Sequence, residues 1–431
     1  MRDYILNPNP YFSSCNLTAL TSREKERRKK RMENFTLPQE LVLEIMLRLP
    51  VRSLVRFKCV CKSWLSLISD PEFGKSHFDL AAAPTHRLLQ TYSTGSQIIS
   101  LAFEESLTDN SAIVHLEFPP TPPQRDPRYT IIHVPHLSKH GLQPVGYCRG
   151  IMLLANRHSD FVIWNPSTGI HRQISLSYNE LDPSLPNYTK YSNSEGVFVL
   201  NILHGFGYDE STDDYLLVLI RQSYSCKYIA KMFSAVVKNL HPRIQVFSLK
   251  TNAPSFIYDL DFKYEAAFNT GLFLNQSLHW LVESKASGLP LVIAFDLIDR
   301  SLSEIPLSLD CAVLYLSEAY RDRCHLMVLG GCLSLHYYGR RDVADEIWVM
   351  KEYKVSSSWM KSSFVLPRNI KNRVSPICFT KDGALVASSV DGTLVKLNEK
   401  GEVLEQHRDG LNNNYFPKYH YIYRESLLPL P

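Results

Sequence analysis

The chain has 431 residues, too many for one average domain and enough for two or three units of roughly 100–200 residues, each with its own core. Hydrophobic residues make up 45 % and charged residues 21 %, which excludes wholesale disorder and collagen-like composition. The formal net charge of +4 is local, because Arg23 to Arg31 holds seven bases and two acids and the rest sums to −1; a folded domain with a spread basic face for nucleic acid is therefore not expected.

Residues 1–34 are polar, turn-rich and then charged, and nothing in them can build a core, so a mobile basic leader is expected. Its Arg23 to Arg31 run reads either as a solvated helical extension or as a nuclear-import or anionic-surface signal. Residues 35–80 are expected to form a compact block of three short helices. In Glu40 to Leu49 positions 41, 42, 43, 45, 46, 47 and 49 are apolar, and Glu40, Glu44 and Arg48 alone make a wet stripe. Ser53 and Ser63 are expected to cap the next two helices, and Asp70-Pro71 to stop the last. A unit this small buries about 60 % of its chain surface at best, so another protein is expected to cover the surplus apolar face. A domain boundary is expected near Ala81 to Pro84.

Beyond it the pattern changes to short apolar runs separated by Gly, Pro, Asn and Asp, as in strands joined by tight turns. A strand running into a polar turn recurs at Trp164-Asn-Pro-Ser-Thr-Gly169, Phe247-Ser-Leu-Lys-Thr-Asn252, Phe295-Asp-Leu-Ile-Asp-Arg300, Trp348-Val-Met-Lys-Glu-Tyr353 and Lys396-Leu-Asn-Glu-Lys-Gly401. The closer intervals point to a unit of roughly 50 residues, the length of a kelch-type propeller blade. Asp382-Gly383 and Asp391-Gly392 supply the positive φ that hairpin turns need. The expected fold is α+β multidomain: a small three-helix block, then an all-β, kelch-like propeller over residues 84–428 with about six sheets. Tyr415 to Leu427 is expected to add a strand to the first sheet and close the ring. Pro119-Pro-Thr-Pro-Pro123 reads as a polyproline II connector or an SH3- or WW-type ligand.

Nine scattered cysteines, an odd number, fit a reducing compartment rather than a disulfide scaffold. The longest apolar-rich run, Leu326 to Tyr338, falls well short of the ~20 residues that span a bilayer, so no membrane partner and a nuclear or cytoplasmic location are expected. Hydrolase, NTPase and dinucleotide motifs are absent, and neither zinc-ligand spacing nor a ligase cysteine is visible. His133, His136 and His140 read as loop or strand-face residues, because Pro135 breaks any helix that would align them on a metal. Cys59 and Cys61 read as buried small side chains, and Trp164, Trp280, Trp348 and Trp359 as core or interblade fillers. No cofactor and no catalytic residue are expected.

Leu37-Pro38-Gln39-Glu40-Leu41, then Ile45-Met-Leu-Arg-Leu49-Pro50-Val-Arg-Ser53-Leu54-Val-Arg56-Phe57 and Val60-Cys61-Lys62-Ser63-Trp64, resemble the F-box motif at nearly every signature position. The resemblance implies a three-helix fold that docks a Skp-type adaptor, and through it the cullin and RING subunits of a ubiquitin ligase. By matching positions, Leu37, Pro38, Ile45, Leu49, Pro50, Val60, Cys61 and Trp64 would make or support that interface. The remainder resembles the F-box-associated domain of plant F-box/kelch-type proteins, through Tyr147-Cys148-Arg149-Gly150, Gly205-Phe206-Gly207-Tyr208-Asp209, Asp214-Tyr215, Leu278-His279-Trp280-Leu281 and Tyr423-Arg-Glu425-Ser426-Leu427. It implies a non-catalytic substrate receptor for an unknown protein; a propeller that holds a glycan or small ligand gating its target is the alternative.

Two long segments, Ser177 to Glu195 and Arg221 to His241, read as recognition loops, since long connections in a compact domain are usually functional or disordered. Tyr178, Tyr188, Tyr191, Arg221, Tyr224, Lys227 and Tyr228 are of the types that dominate interface energy. The second segment has no acidic residue, so an acidic or phosphorylated target segment fits it.

Overall fold

The computed structural model describes residues 37–80, 85–92, 98–104, 106–108, 113–117, 119–120, 142–155, 161–174, 195–229, 232–239, 243–259, 264–266, 270–315, 324–339, 345–367, 374–389, 391–408 and 417–431. The basic leader, the boundary segment 81–84, prolines 122 and 123, His133, His136, His140, Tyr178, Tyr188 and Tyr191 lie outside these residues.

The chain forms two compact units, Met1–Leu49 and Pro50–Pro431. The division falls between the first helix and the helices that follow it. The first unit contributes helix α1 (Gln39–Met46), which starts after Pro38 without a side-chain cap. The second opens with α2 (Val51–Phe57), α3 (Lys62–Ile68) and α4 (Pro71–Leu80). The expected serine caps are not used: Pro50 and Cys61 occupy the two N-cap positions, and Ser53 and Ser63 lie inside the helices. Pro50 already holds φ −58 and ψ 144, the extended geometry an N-cap needs, so no hydroxyl is required to set the entry. Asp70-Pro71 follows the end of α3 at Ile68 as expected, and it also starts the next helix. The Asp70 carboxylate accepts from the Glu72 N–H at 2.8 Å, and Pro71, lacking an N–H, takes the first helical position of α4.

The rest of the second unit is a six-bladed β-propeller. Six antiparallel sheets of four or five strands follow one another, and their inner strands neighbour one another in a closed circuit: Pro417–Arg424, Gln143–Cys148, Glu195–Asp209, Leu272–Leu274, Cys324–Leu329, Val374–Phe379 and back. The ring closes as expected, because Pro417–Arg424 pairs antiparallel with His86–Tyr92 in the first sheet. Radial repetition of this kind leaves only short, protected inner edges.

Both faces of each blade are buried. In Asp214–Ile229, Leu216, Val218 and Ile220 enter the core shared with the fourth blade, while Tyr215, Leu217 and Leu219 enter the core shared with the second. A strand covered on both sides reads as a continuous apolar run rather than an alternation. Six such clusters, one between each pair of neighbouring blades, make up the core. Trp164, Trp280 and Trp359 are 2 %, 1 % and 4 % exposed within them, and Trp348 packs half-buried beside them. The recurring strand-into-turn motif is the third strand of a blade entering its outer strand, as at Phe161–Trp164 into His171–Ile174 and Leu394–Leu397 into Val403–His407. Gly383 and Gly392 take φ of 84° and 82° in their turns, as their Asp-Gly sequences require.

The third blade departs from this regularity. Its first two strands, Glu195–Asp209 and Asp214–Ile229, are 15 and 16 residues long. Arg243–Ser248 pairs only with residues 216–221 of the second, and beyond that point its partner on the same side becomes Met232–Asn239. Arg221 to His241 is therefore mostly strand and not the loop expected, and Arg221, Tyr224, Lys227 and Tyr228 all lie on Asp214–Ile229. The β-branched and aromatic residues Tyr224, Tyr228, Ile229, Phe233, Val236 and Val237 carry this extension.

Candidate functional site

In the first unit Pro38 is exposed and Leu49 partly buried, and Leu37, Leu41 and Ile45, spaced four apart, are 57 %, 50 % and 49 % exposed. Leu41 and Ile45 share one face of α1, so an apolar stripe runs along it in solvent, and Leu37 is exposed just before the helix starts. Glu44 and Arg48 form an ion pair at 2.5 Å on the same turns, but both are exposed and it contributes only a few tenths of a kcal/mol.

In the second unit Val51, Leu54 and Ile68 are buried, which fixes the inner side of α2 and α3. The connection between them faces outward. Pro50, Cys59, Val60 and Cys61 are exposed, Val60 and Leu65 at 61 % and 46 %, so the expected burial of both cysteines is overturned. They sit where α2 has ended and α3 has not begun, and no element among the described residues covers that junction. Trp64 is half-buried and tilts against Phe57, ring centroids 5.2 Å apart. Cys61 Sγ lies 3.1 Å from Ser63 Oγ, a hydrogen bond that lowers the thiol below its ordinary range.

The opposite side of these helices is seated on the propeller. The Arg424 guanidinium lies 3.8 Å over the Phe78 ring and donates to the Phe78 carbonyl. Arg149 lies between two rings, 4.9 Å from Phe78 and 4.3 Å from Tyr208. A Cβ built on Gly74 would stand 2.9 Å from the Leu427 carbonyl oxygen, so a glycine lets α4 reach the C-terminal segment. Lys75 pairs with Asp213 at 2.8 Å, and that hydrogen bond, with a second from the Tyr208 hydroxyl, holds the Asp213 carboxyl below its usual range.

Beneath the seat lies a buried polar chain. Arg87 donates to Ser100 at 2.6 Å and lies 3.7 Å from Glu425, which also receives Arg52 from α2 at 3.2 Å. Burial nonetheless outweighs both guanidinium charges and leaves the Glu425 carboxyl above its usual range. Ser100 Oγ meets the Tyr423 hydroxyl at 2.7 Å. The Tyr147 hydroxyl accepts from the Arg424 and Gly150 N–H groups at 2.6 and 3.2 Å. Asn165, first residue of the Asn-Pro-Ser-Thr-Gly turn, donates through Nδ2 to the Ser426 and Leu428 carbonyls at 3.1 and 3.0 Å. Tyr147 to Gly150, Tyr208, the Asn165 turn and Tyr423 to Leu427 thus converge on one task, holding α2 to α4 and the segment after Arg424 against one end of the ring, whereas Leu278 to Leu281 and Gly205-Phe206 pack within and between the blades. Phe78, Lys75 and Arg52 complete this seat without belonging to any segment singled out in the β-domain.

That end is defined by the C-terminal ends of inner strands: Arg149 follows Gln143–Cys148, Asp213 follows Glu195–Asp209, and Glu425 to Leu428 follow Pro417–Arg424. The extension of the third blade, residues 195–201 paired with 221–227, lies at the other end of the same two strands. Among the described residues no group of three or more His, Cys, Asp or Glu side chains could hold a metal ion.

Comparison with known proteins agrees with this division of labour. Residues 35–76 match the F-box domain family, and residues 110–424 match the family described as the F-box associated beta propeller domain. An F-box/kelch-repeat protein of Arabidopsis thaliana is 30 % identical over 339 residues, covering 75 % of this chain and 78 % of its own. The F-box protein CPR1 of the same plant is 29 % identical over 382 residues, covering 83 % and 80 %. The chain belongs to the plant F-box proteins that carry a C-terminal F-box-associated β-propeller.

Proposed function

We propose that this chain is the substrate-recognition subunit of an SCF-type cullin-RING ubiquitin ligase. Its F-box takes a Skp-type adaptor, its propeller takes a protein target, and the cullin and RING subunits arrive through the adaptor. The observation that carries the reading is the solvent exposure of Leu37, Leu41 and Ile45 in one unit and of Val60 and Leu65 in the other, inside the F-box match. Half-exposed Leu, Ile and Val side chains each gain on the order of 1 kcal/mol when a partner removes them from water. Pro38 and Leu49 in the first unit, and Pro50, Cys61 and Trp64 in the second, would make or support adaptor contacts. The protein supplies no bond-making group in this scheme. It raises the effective concentration of a target lysine near the conjugating enzyme, and positioning of that kind lowers the barrier without chemistry of its own. Action in the nucleus or cytoplasm fits the scheme, with Arg23 to Arg31 as the segment whose deletion would lower a nuclear signal.

The test is co-purification of the adaptor with Ile45→Asp and Val60→Asp variants of the full chain. Both positions are exposed, so the fold stays intact, while a buried unpaired carboxylate weakens docking by about tenfold or more. Undiminished adaptor capture by both variants refutes the reading.

A further inference from the structure

The receptor reading leaves open which part of the propeller meets the target, and the third blade supplies a surface for it. Beyond its base the blade continues as a three-stranded sheet: residues 195–201, then 221–229, then Met232–Asn239. At about 3.3 Å per residue the extension reaches some 25 Å past the blade. It leaves from the end remote from Asp213 and the seated helices, so an object held there does not compete with α2 to α4 for space.

Met232–Asn239 continues the lane that Arg243–Ser248 occupies lower in the blade, since both pair with the same side of Asp214–Ile229. In the blade that lane is covered by a further strand, Ala253–Asp259. In the extension Met232–Asn239 is the last strand of its sheet among the described residues, and its outer edge has no strand beside it. A row of main-chain donors and acceptors at a sheet edge is a template for an added strand. Two register shifts, between Phe233 and Ala235 and between Val236 and Lys238, break the strand into short paired runs, so the segment it can take is short. From 221 to 239 the sequence carries Arg221, Lys227, Lys231 and Lys238 with no acidic residue, and Glu195 is the one acid on the strand portion paired with 221–227. An excess of three positive charges selects for negative partners and speeds their encounter.

We propose that this projecting sheet is the target-docking element, and that it takes a short, extended, Asp- and Glu-rich segment of the target as a fourth strand along Met232–Asn239. The inference rests on the receptor reading and fails separately from it.

The experiment uses the full chain co-purified with its adaptor and pans it with a phage-displayed random peptide library. Enriched peptides are then synthesised with a fluorophore and their binding followed by anisotropy. The expected result is enrichment of acidic, β-prone sequences whose affinity falls about tenfold or more in a Lys227→Glu/Lys238→Glu variant and in Val236→Pro, which disturbs the edge strand. Hydrogen exchange at Met232–Asn239 slows on peptide binding, a readout that a displaced or unfolded extension would not give. Adaptor capture by both variants stays at the unmodified level. Enrichment of neutral or basic peptides, equal binding by both variants, or no enrichment at all overturns the proposal. If adaptor capture itself is missing in the unmodified chain while acidic peptides still bind this edge, it is the ligase reading that falls.

Discussion

Replacing Phe78 tests whether the helices are seated on the propeller as a packed joint. The ring is 7 % exposed and has two guanidinium groups over it, Arg424 at 3.8 Å and Arg149 at 4.9 Å from its centroid. Phe78→Ala removes the ring's transfer energy and leaves a cavity, about 3–4 kcal/mol by analogy with other buried aromatic truncations. Part of that is the cation–ring attraction, about 1 kcal/mol for each guanidinium at this degree of burial. Phe78→Leu restores most of the volume without the π-face, so its cost reduces to about 1–2 kcal/mol. An Arg424→Met/Phe78→Leu cycle then isolates a coupling of about 1 kcal/mol. The assay is urea unfolding of the full chain followed by tryptophan fluorescence, comparing midpoints at constant slope. Both Phe78 variants within about 0.5 kcal/mol of the unmodified chain would show that the joint is not packed. Equal losses for Ala and Leu with no coupling to Arg424 would show that volume alone matters and that the guanidinium groups are bystanders.

Removing residues 417–431 takes away the inner strand of the first blade together with Arg424, Glu425 and Leu427; it is expected to abolish the cooperative transition of the whole propeller rather than to fray one end, which circular dichroism melting checks. His204, His279 and His336 are 3 %, 0 % and 1 % exposed, and burial depresses them from the ordinary value to about 4, 4 and 3. The unfolded chain therefore binds more protons than the folded one between about pH 6.5 and 4, so stability falls with pH through that window, by on the order of 2 kcal/mol per histidine between pH 7 and pH 5. At His279 burial is the cause: the ring is enclosed, with its Nδ1–H donating to the Leu272 carbonyl at 3.2 Å and its Nε2 2.8 Å from the Tyr353 hydroxyl, and these partners do not offset the cost of a buried charge. A urea midpoint unchanged from pH 7 to pH 5 contradicts this.

Local chemistry was the legible part of the sequence. The Leu-Pro start and Cys-x-Cys-Lys-Ser-Trp finish of the F-box, the Asp-Gly turns and the strand-into-turn repeat are written in neighbouring residues. They led to the helical block, the blades and the closing strand. Helix entry was misread at Ser53 and Ser63, because the extended backbone at Pro50 and Cys61 does the work a hydroxyl does elsewhere. Cys59 and Cys61 were misread because a motif position says that a residue is used without saying on which side. The seat was not legible: Phe78 and Arg424 stand 346 positions apart, and no local pattern announces their contact. Nor was the extended third blade, although its Tyr, Phe, Val and Ile content carried a signal. The 83-residue gap between the Trp164 and Phe247 motifs, against about 50 elsewhere, is where its extra length was hidden.

The ring-closing strand has a consequence for how the protein is made. Every other described strand is synthesised before Pro417–Arg424, so the nascent propeller has to wait with an unfilled inner position in its first blade. Joining segments about 346 residues apart costs on the order of 5 kcal/mol of chain entropy, recovered only when the late strand docks. Non-local pairing of this kind slows folding. The seat of the helices waits with it: Arg424, Glu425 and Leu427, which contact Phe78, Arg52 and α4, are also made last, so α2 to α4 find their place against the ring only when the closing strand docks.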